Sequence, residues 1–124
     1  MSTFPVNTFQ SKAIANISAN PGSPTSIFGS SDIPSGGYVM VLSIIVANKS
    51  SGTRDINLRL TKQAGSSAMM LSNVAVPAKN SFEVINGNKF IINFGDSLRA
   101  WVDLEGGNNV DLVVSYVTYT PASA

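Results

Sequence analysis

The chain is 124 residues long, only 12% of them are charged, and it contains no histidine and no cysteine. This length suits one domain that buries about two thirds of its unfolded surface in a single core. The absence of cysteine excludes disulfides. The absence of histidine leaves only lysine or a carboxylate as the base for a serine nucleophile.

Charge and hydropathy exclude further classes of function. The net charge is +1, and the basic residues are scattered from Lys12 to Arg99, whereas nucleic-acid binding needs clustered lysine and arginine. The longest apolar run, Tyr38 to Ala47, is far shorter than the ~20 residues of a membrane-spanning helix. The start, Met1 to Pro5, lacks the basic and apolar regions of a signal peptide. We therefore expect neither nucleic acid nor membrane as a partner.

The first part of the chain, residues 1–36, is predicted to be an arm with little regular structure. Turn sequences rich in proline and glycine occupy 20–24 and 32–37, where proline fixes φ and glycine permits positive φ. Short extended segments are predicted near 11–18 and 25–28. The arm packs on its own domain or on a neighbouring subunit, and its apolar residues Phe4, Val6 and Phe9 are candidate interface residues.

Residues 37–124 are predicted to form the core of the domain. Tyr38 to Val46 is apolar at odd and even positions, which is typical of a central strand covered on both faces. Residues 55–61 alternate between apolar and polar side chains and indicate a half-buried strand. A further strand runs from Met69 to Val76 and ends at Pro77, which cannot donate to a sheet.

Two hairpins are predicted in the last third of the chain. Asn86-Gly87 lies between apolar runs and favours a tight hairpin turn, because both residues tolerate positive φ. Residues 98–104 alternate, and 105–109 form a turn into a last strand at 110–119. With seven to nine short strands and no helical periodicity, the predicted fold is an all-β antiparallel sandwich or jelly roll.

Few residues suggest chemistry. Gly95-Asp96-Ser97-Leu98 matches the nucleophile block of a hydrolase family, but that chemistry requires a histidine, so we interpret it as a turn. No Ser-x-x-Lys or Gly-x-Ser-x-Gly sequence occurs, and we expect no enzyme activity and no cofactor. Asn16-Ile17-Ser18 and Asn48-Lys49-Ser50 match the glycosylation sequence; without a signal peptide we interpret both as chance matches.

Acidic residues near the last turns have two interpretations. They can provide oxygen ligands for calcium, or they can be ordinary turn and surface residues. No EF-hand loop is present, and we favour the second interpretation. The acidic residues concerned are Asp96, Asp103, Glu105 and Asp111.

Trp101 is predicted on the polar face of its strand, with Arg99 and Asp103. An exposed tryptophan can stack on a sugar or anchor a protein interface. It can also close one end of the sandwich, and the sequence does not decide among these roles.

Several sequence blocks, in this order along residues 37–119, resemble small virion structural proteins of tailed bacteriophages of the cyanophage and marine phage type. The resemblance implies a non-enzymatic β-sandwich present in many copies in the virion, assembled in the host cytoplasm. A capsid decoration or cement protein that stabilises the head is the expected role. The blocks are Val46-Ala47-Asn48-Lys49-Ser50, Val76-Pro77-Ala78-Lys79-Asn80-Ser81, Ile85-Asn86-Gly87-Asn88-Lys89, Gly95-Asp96-Ser97-Leu98 and Val110-Asp111-Leu112-Val113-Val114-Ser115-Tyr116.

Partners and alternatives follow from the same resemblance. The expected partners are the major capsid protein or other virion proteins, together with further copies of this chain in a homo-oligomer. One alternative is a neck, tail or fibre accessory protein. Another is a carbohydrate-binding host-adhesion module with Trp101 and Tyr119 as stacking platforms.

Overall fold

We describe the fold from a computed structural model, which covers residues 4–103 and 109–122 and leaves out the side chains of residues 30, 82 and 86–88. The described residues form eight β-strands and one short 3-10 helix, Ser30–Asp32. The strands are β1 (Val6–Ile14), β2 (Thr25–Phe28), β3 (Tyr38–Asn48), β4 (Arg54–Thr61), β5 (Ser67–Val76), β6 (Ser81–Asn93), β7 (Ser97–Val102) and β8 (Val110–Thr120).

The strands form two antiparallel four-stranded sheets packed face to face, which confirms the predicted β-sandwich. The first sheet has the order β1-β8-β3-β6, and the second has the order β2-β7-β4-β5. Between them lies one apolar core, to which the alternating residues of each strand contribute. Its largest fully buried side chains include Phe28, Ile44, Ile56, Leu58, Ile92, Leu98 and Leu112.

The arm predicted at 1–36 contributes an edge strand to each sheet. β1 pairs with β8 along its whole length, although its side chains are mostly exposed. β2 pairs with β7. Ile17, Ile27 and Phe28 are almost completely buried in the core. The strand predicted near 11–18 thus begins and ends earlier, and Ile17 anchors the chain that follows it.

Among the residues that the structure describes, β3 is covered on one face only, in contrast to the prediction. Val39 and Val41 point into the core, and after a bulge at Leu42 the buried positions become Ile44 and Val46. The core-facing positions thus change from odd to even residue numbers along β3. This change accounts for part of the apolar residues at both odd and even positions. The rest comes from apolar residues on the outer face of β3, over which the described residues place no further element.

The hairpin predicted at Asn86-Gly87 is wrong, because β6 runs through these residues as one strand. Val41 pairs with Phe90 and Ser43 pairs with Asn86, so β6 advances four positions where β3 advances two. The extra residues form a bulge. Residues that tolerate unusual φ suit a bulge as well as a turn, and the long partner β3 keeps β6 paired on both sides of it.

The second predicted hairpin, between the strands at 98–104 and 110–119, is also wrong. β7 belongs to the second sheet and β8 to the first, so the connection crosses from one sheet to the other. Most of the predicted turn lies outside the described residues. Short connections between sheets and hairpins have similar turn residues, and the sequence pattern does not distinguish them.

Candidate functional site

The outer face of the first sheet carries a row of apolar side chains across all four strands. In register, Phe9 of β1 lies beside Val117 of β8, then Met40 of β3, then Ile91 of β6. Three interstrand spacings make this row roughly 14 Å wide. Phe9 is 76% exposed and Ile91 39% exposed, whereas Val117 is buried beneath its neighbours. We call this row and its surroundings the apolar face.

The apolar face continues on both sides of this row. Tyr38 and Tyr119 are cross-strand neighbours with stacked rings, their centroids 5.0 Å apart. Farther along, Val113 and Ile45 pair across β8 and β3, and Val113 is also exposed. A groove of about 330 Å³ runs along this surface and is lined by Asn7, Phe9, Tyr38, Met40, Leu42, Lys89 and Val117.

The structure brings some of the predicted interface residues together and separates others. Phe9 and Tyr119 both belong to the apolar face. Val6 begins β1, but its side chain alternates with that of Phe9 and lies on the other side of the sheet. Phe4 precedes β1 with 89% of its surface exposed. Trp101 lies on the other sheet. Tyr119 and Trp101, the two stacking platforms of the adhesion alternative, therefore lie on different sheets and do not form one site.

Trp101 lies on the outer face of the second sheet, as predicted from the alternation of β7. It is half-buried between the buried positions Ala100 and Val102, and its direct cross-strand neighbour is Asn57 of β4. The Arg59 guanidinium carbon lies 5.3 Å from the centroid of the Trp101 ring. A groove of about 530 Å³ adjoins the ring.

The acidic residues do not form one metal site. Asp96 and Asp103 lie beyond opposite ends of the six-residue strand β7, roughly 23 Å apart at ~3.3 Å per residue. Asp111 belongs to the other sheet. Glu105 lies outside the described residues. Within the described ranges, no group of three potential metal-binding side chains occurs.

The carboxylate of Asp96 is occupied by hydrogen bonds from the protein itself. Its carboxylate accepts hydrogen bonds from Lys62 Nζ (2.6 Å) and from the backbone N–H groups of Gln63 (2.9 Å) and Asn93 (3.0 Å). Burial alone would raise the pKa of Asp96, but these hydrogen bonds and the lysine charge together lower it below its ordinary value. Gly95 before it has φ +92°. The first half of the hydrolase-like block, Gly95-Asp96, is therefore a turn, as interpreted from the sequence, and Ser97-Leu98 begins β7.

Asp111 is similarly engaged at the surface. It accepts a hydrogen bond from the Asn16 N–H (2.9 Å) and forms an ion pair with Lys49 (3.1 Å). Burial opposes ionisation, yet these two contacts lower the pKa of Asp111 below its ordinary value. The carboxylates of Asp96 and Asp111 thus both accept hydrogen bonds from groups of the fold itself.

The second glycosylation-like sequence is closed to modification in the folded protein. Asn48 is 2% exposed, and its side-chain nitrogen donates to the carbonyl oxygens of Gly52 and Val76, both at 2.9 Å. Its oxygen accepts from the Ser50 N–H and hydroxyl. Asn48 thus ties the end of β3 to the end of β5, across the two sheets. Asn16, by contrast, is exposed and has φ 56°.

Two sets of residues were missed by sequence reasoning. Asn57 and Asn73, which flank Trp101, were interpreted only as strand residues, because their proximity depends on a bulge in β5. Met40 was interpreted as part of a strand covered on both faces, and Ile91 of the apolar face was not singled out. Met40 could have been found from the sequence, because an apolar residue at an outward-facing position of a sandwich strand indicates a surface that a partner covers.

Comparison with models of known protein families found no match, and a search among curated proteins found no relative. The described residues contain no helix with the length and apolar character needed to cross a membrane.

Proposed function

We propose that the protein is a non-enzymatic structural subunit of a tailed bacteriophage virion, a capsid decoration or cement protein that attaches through its apolar face. The observation that carries the proposal is the row Phe9, Val117, Met40 and Ile91 on the outside of a two-layer sandwich. An exposed apolar surface of this kind costs solubility unless a partner covers it. The resemblance of residues 37–119 to virion proteins supplies the class of partner.

The chemistry of the apolar face suits a stable, repeated contact. Its centre is apolar, and Asn7 lies at one side. Within the part of the chain that the structure describes, Lys89 is the one charged residue that lines the groove. Interfaces with an apolar centre and aromatic residues concentrate their binding energy there. On a symmetric lattice, many modest contacts of one subunit type add up to strong attachment.

The proposed partners are the major capsid protein or other virion proteins. Further copies of this chain are proposed partners as well, in a homo-oligomer. A role in the neck or tail belongs to the same class and uses the same face. The protein's few charges suit contacts that depend little on salt, because screened surface ion pairs contribute little to them.

The proposal is tested by adding purified protein to phage particles that lack it. Phe9→Glu and Ile91→Glu place a charge in the apolar face at exposed positions, so folding should persist while attachment falls at least about tenfold. Met69→Glu is the matched control, because Met69 is 44% exposed on the other sheet. Binding is measured by co-sedimentation, and folding by circular dichroism and thermal melting.

Two outcomes contradict the proposal: unchanged attachment of Ile91→Glu and Phe9→Glu, or equal loss with Met69→Glu. Imaging of particles with labelled protein then separates head from neck and tail. If particles lacking the protein rupture at the same temperature and osmotic stress as complete particles, the cement role is excluded.

A further inference from the structure

The Trp101 groove lies on the outer face of the second sheet, opposite the apolar face. It exists because β2 is only four residues long, and its pairing with β7 ends at Thr25, opposite Ala100. Beyond that point the chain at Ala19 and Pro21 borders the groove beside Trp101. A hydrogen bond from the Val102 N–H to the Ser18 carbonyl (2.9 Å) fixes this segment to β7. The groove is therefore bordered by a segment that a backbone hydrogen bond holds in place.

Two asparagines form a wall of the groove. Asn57 is the direct cross-strand neighbour of Trp101 and only 5% exposed, and its Oδ1 accepts the Asn73 N–H at 3.0 Å. Asn73 has φ 51° at a bulge in β5, where the register with β4 shifts between Ile56 and Leu58. Bulges near binding sites often redirect residues in this way. The bulge is what brings Asn73 to the groove.

Asp103 borders the end of the groove with unused hydrogen-bonding capacity. Its Oδ1 is buried and has no hydrogen-bond partner among the described residues. Its Oδ2 accepts only a long contact, 3.5 Å, from the Asp55 N–H. A buried carboxylate oxygen without a donor is unfavourable, and such a group calls for a specific explanation.

Arg59, a residue outside the groove, restrains the Trp101 ring. The Arg59 guanidinium lies 5.3 Å from its centroid, yet Arg59 does not line the groove. Cation–π contact of this kind restrains an aromatic ring. The groove therefore combines a restrained indole, two amide side chains and one carboxylate.

From this combination we propose that the Trp101 groove binds a neutral pyranose saccharide. The C–H face of a pyranose ring is apolar and packs on an indole, whose face is electron-rich. Sugar hydroxyls both donate and accept, which matches asparagine amides, and they donate to a carboxylate. Among the described residues, Asp103 is the one charged residue that lines the groove, so an anionic sugar is disfavoured by like-charge repulsion. The groove volume also lies within the usual range of small-ligand sites.

This inference does not depend on the proposed attachment to a virion. The apolar face and the Trp101 groove lie on opposite sides of the sandwich. Each can fail its test while the other stands.

The chain contains a single tryptophan, so its fluorescence reports on the groove alone. Purified protein is titrated with methyl glycosides and short oligosaccharides of glucose, galactose, mannose and N-acetylglucosamine, and with glucuronic acid as the anionic comparison. We expect a saturable change of emission with at least one neutral sugar and a weaker or absent change with glucuronic acid. No change with any neutral sugar, up to its solubility limit, overturns the proposal.

Variants then assign the binding to the groove, with affinity measured by calorimetry. Trp101→Ala should weaken binding at least about tenfold, whereas Trp101→Phe should retain part of it. Met69→Ala, on the same outer face but not among the residues that line the groove, should bind as the unchanged protein does. Wild-type affinity in Trp101→Ala overturns the proposal. If Trp101→Ala does not fold, the Trp101→Phe variant and the wild-type titration still decide.

Discussion

Asp96 belongs to a sequence block that resembles a catalytic element, and its carboxylate is engaged in the hydrogen bonding of the fold. Its carboxylate is 2% exposed and closes the turn between β6 and β7 with three hydrogen bonds. The Lys62 ammonium that reaches it is only partly exposed. A buried carboxylate is tolerable when donors satisfy it on every side. Removing its charge should therefore weaken the fold in a way that depends on pH.

We expect Asp96→Asn to lower the free energy of unfolding at pH 7 by about 2 kcal/mol, because an amide cannot accept all three hydrogen bonds. The pKa of Asp96 is lowered in the folded protein, so its contribution is complete above the unfolded pKa of about 3.9 and is lost as pH falls through the folded pKa. The difference between the two proteins should therefore be constant from about pH 5 to pH 8 and shrink below about pH 3.9. Urea unfolding at pH 7 and pH 3 measures it.

The control for this prediction is Glu83→Gln, which neutralises an exposed carboxyl on β6. We expect a change within about 0.5 kcal/mol at either pH, as for most surface substitutions. An Asp96→Asn effect that is no larger than this, or that does not vary with pH, contradicts the structural role of Asp96.

At the scale of elements, the sequence predicts strands well and connections poorly. β4 and β7 were predicted from alternation, since a half-buried strand imposes a period of two on its own residues. The β6 bulge and the crossing from β7 to β8 were not, because they depend on distant pairing partners. The same limit applies to the groove. The face on which Trp101 lies was predictable, whereas its proximity to Asn57 and Asn73 depends on the register of three strands.

β1 is the element whose stability depends least on side-chain burial. It pairs with β8 from Val6 to Ile14, yet most of its side chains are exposed. β3, in contrast, pairs on both sides and buries alternate residues in the core. Local opening of a strand costs little when few apolar contacts are broken. The buried Ile17, whose N–H donates to the Val110 carbonyl at 2.9 Å, should limit this opening.

We therefore expect the hydrogen-bonded amides of β1 to exchange with deuterium at least about tenfold faster than those of β3. The Ile17 amide serves as the internal reference and should be protected like the core. Amide-resolved hydrogen exchange measured by NMR tests this. Equal protection of β1 and β3 would show that β1 opens only with the whole domain.

At the scale of the whole molecule, the two outer faces of the sandwich differ in chemistry. The apolar face offers Phe9, Met40 and Ile91 with little charge around them. The opposite face carries Arg59, Arg99 and the Trp101 groove. The layers of a sandwich are about 10 Å apart, so a subunit attached through the first sheet presents the second sheet away from its support.

This arrangement predicts that attachment and saccharide binding are independent. Substitutions more than about 7–10 Å apart and without shared contacts usually have additive effects. Ile91→Glu should lose attachment to particles and keep wild-type saccharide affinity. Trp101→Ala should lose saccharide affinity and attach normally. The double variant should show both losses, each of the size measured in the single variants.

The decisive measurement is made on assembled particles. If the protein attaches through the apolar face, its single tryptophan stays accessible, and particle-bound protein should bind the saccharide with the affinity of free protein. Particles carrying Trp101→Ala protein provide the control for sugar bound elsewhere on the virion. Loss of saccharide binding upon attachment would place Trp101 within the interface, as an anchor between subunits, and would contradict the assignment of the two faces to two different partners.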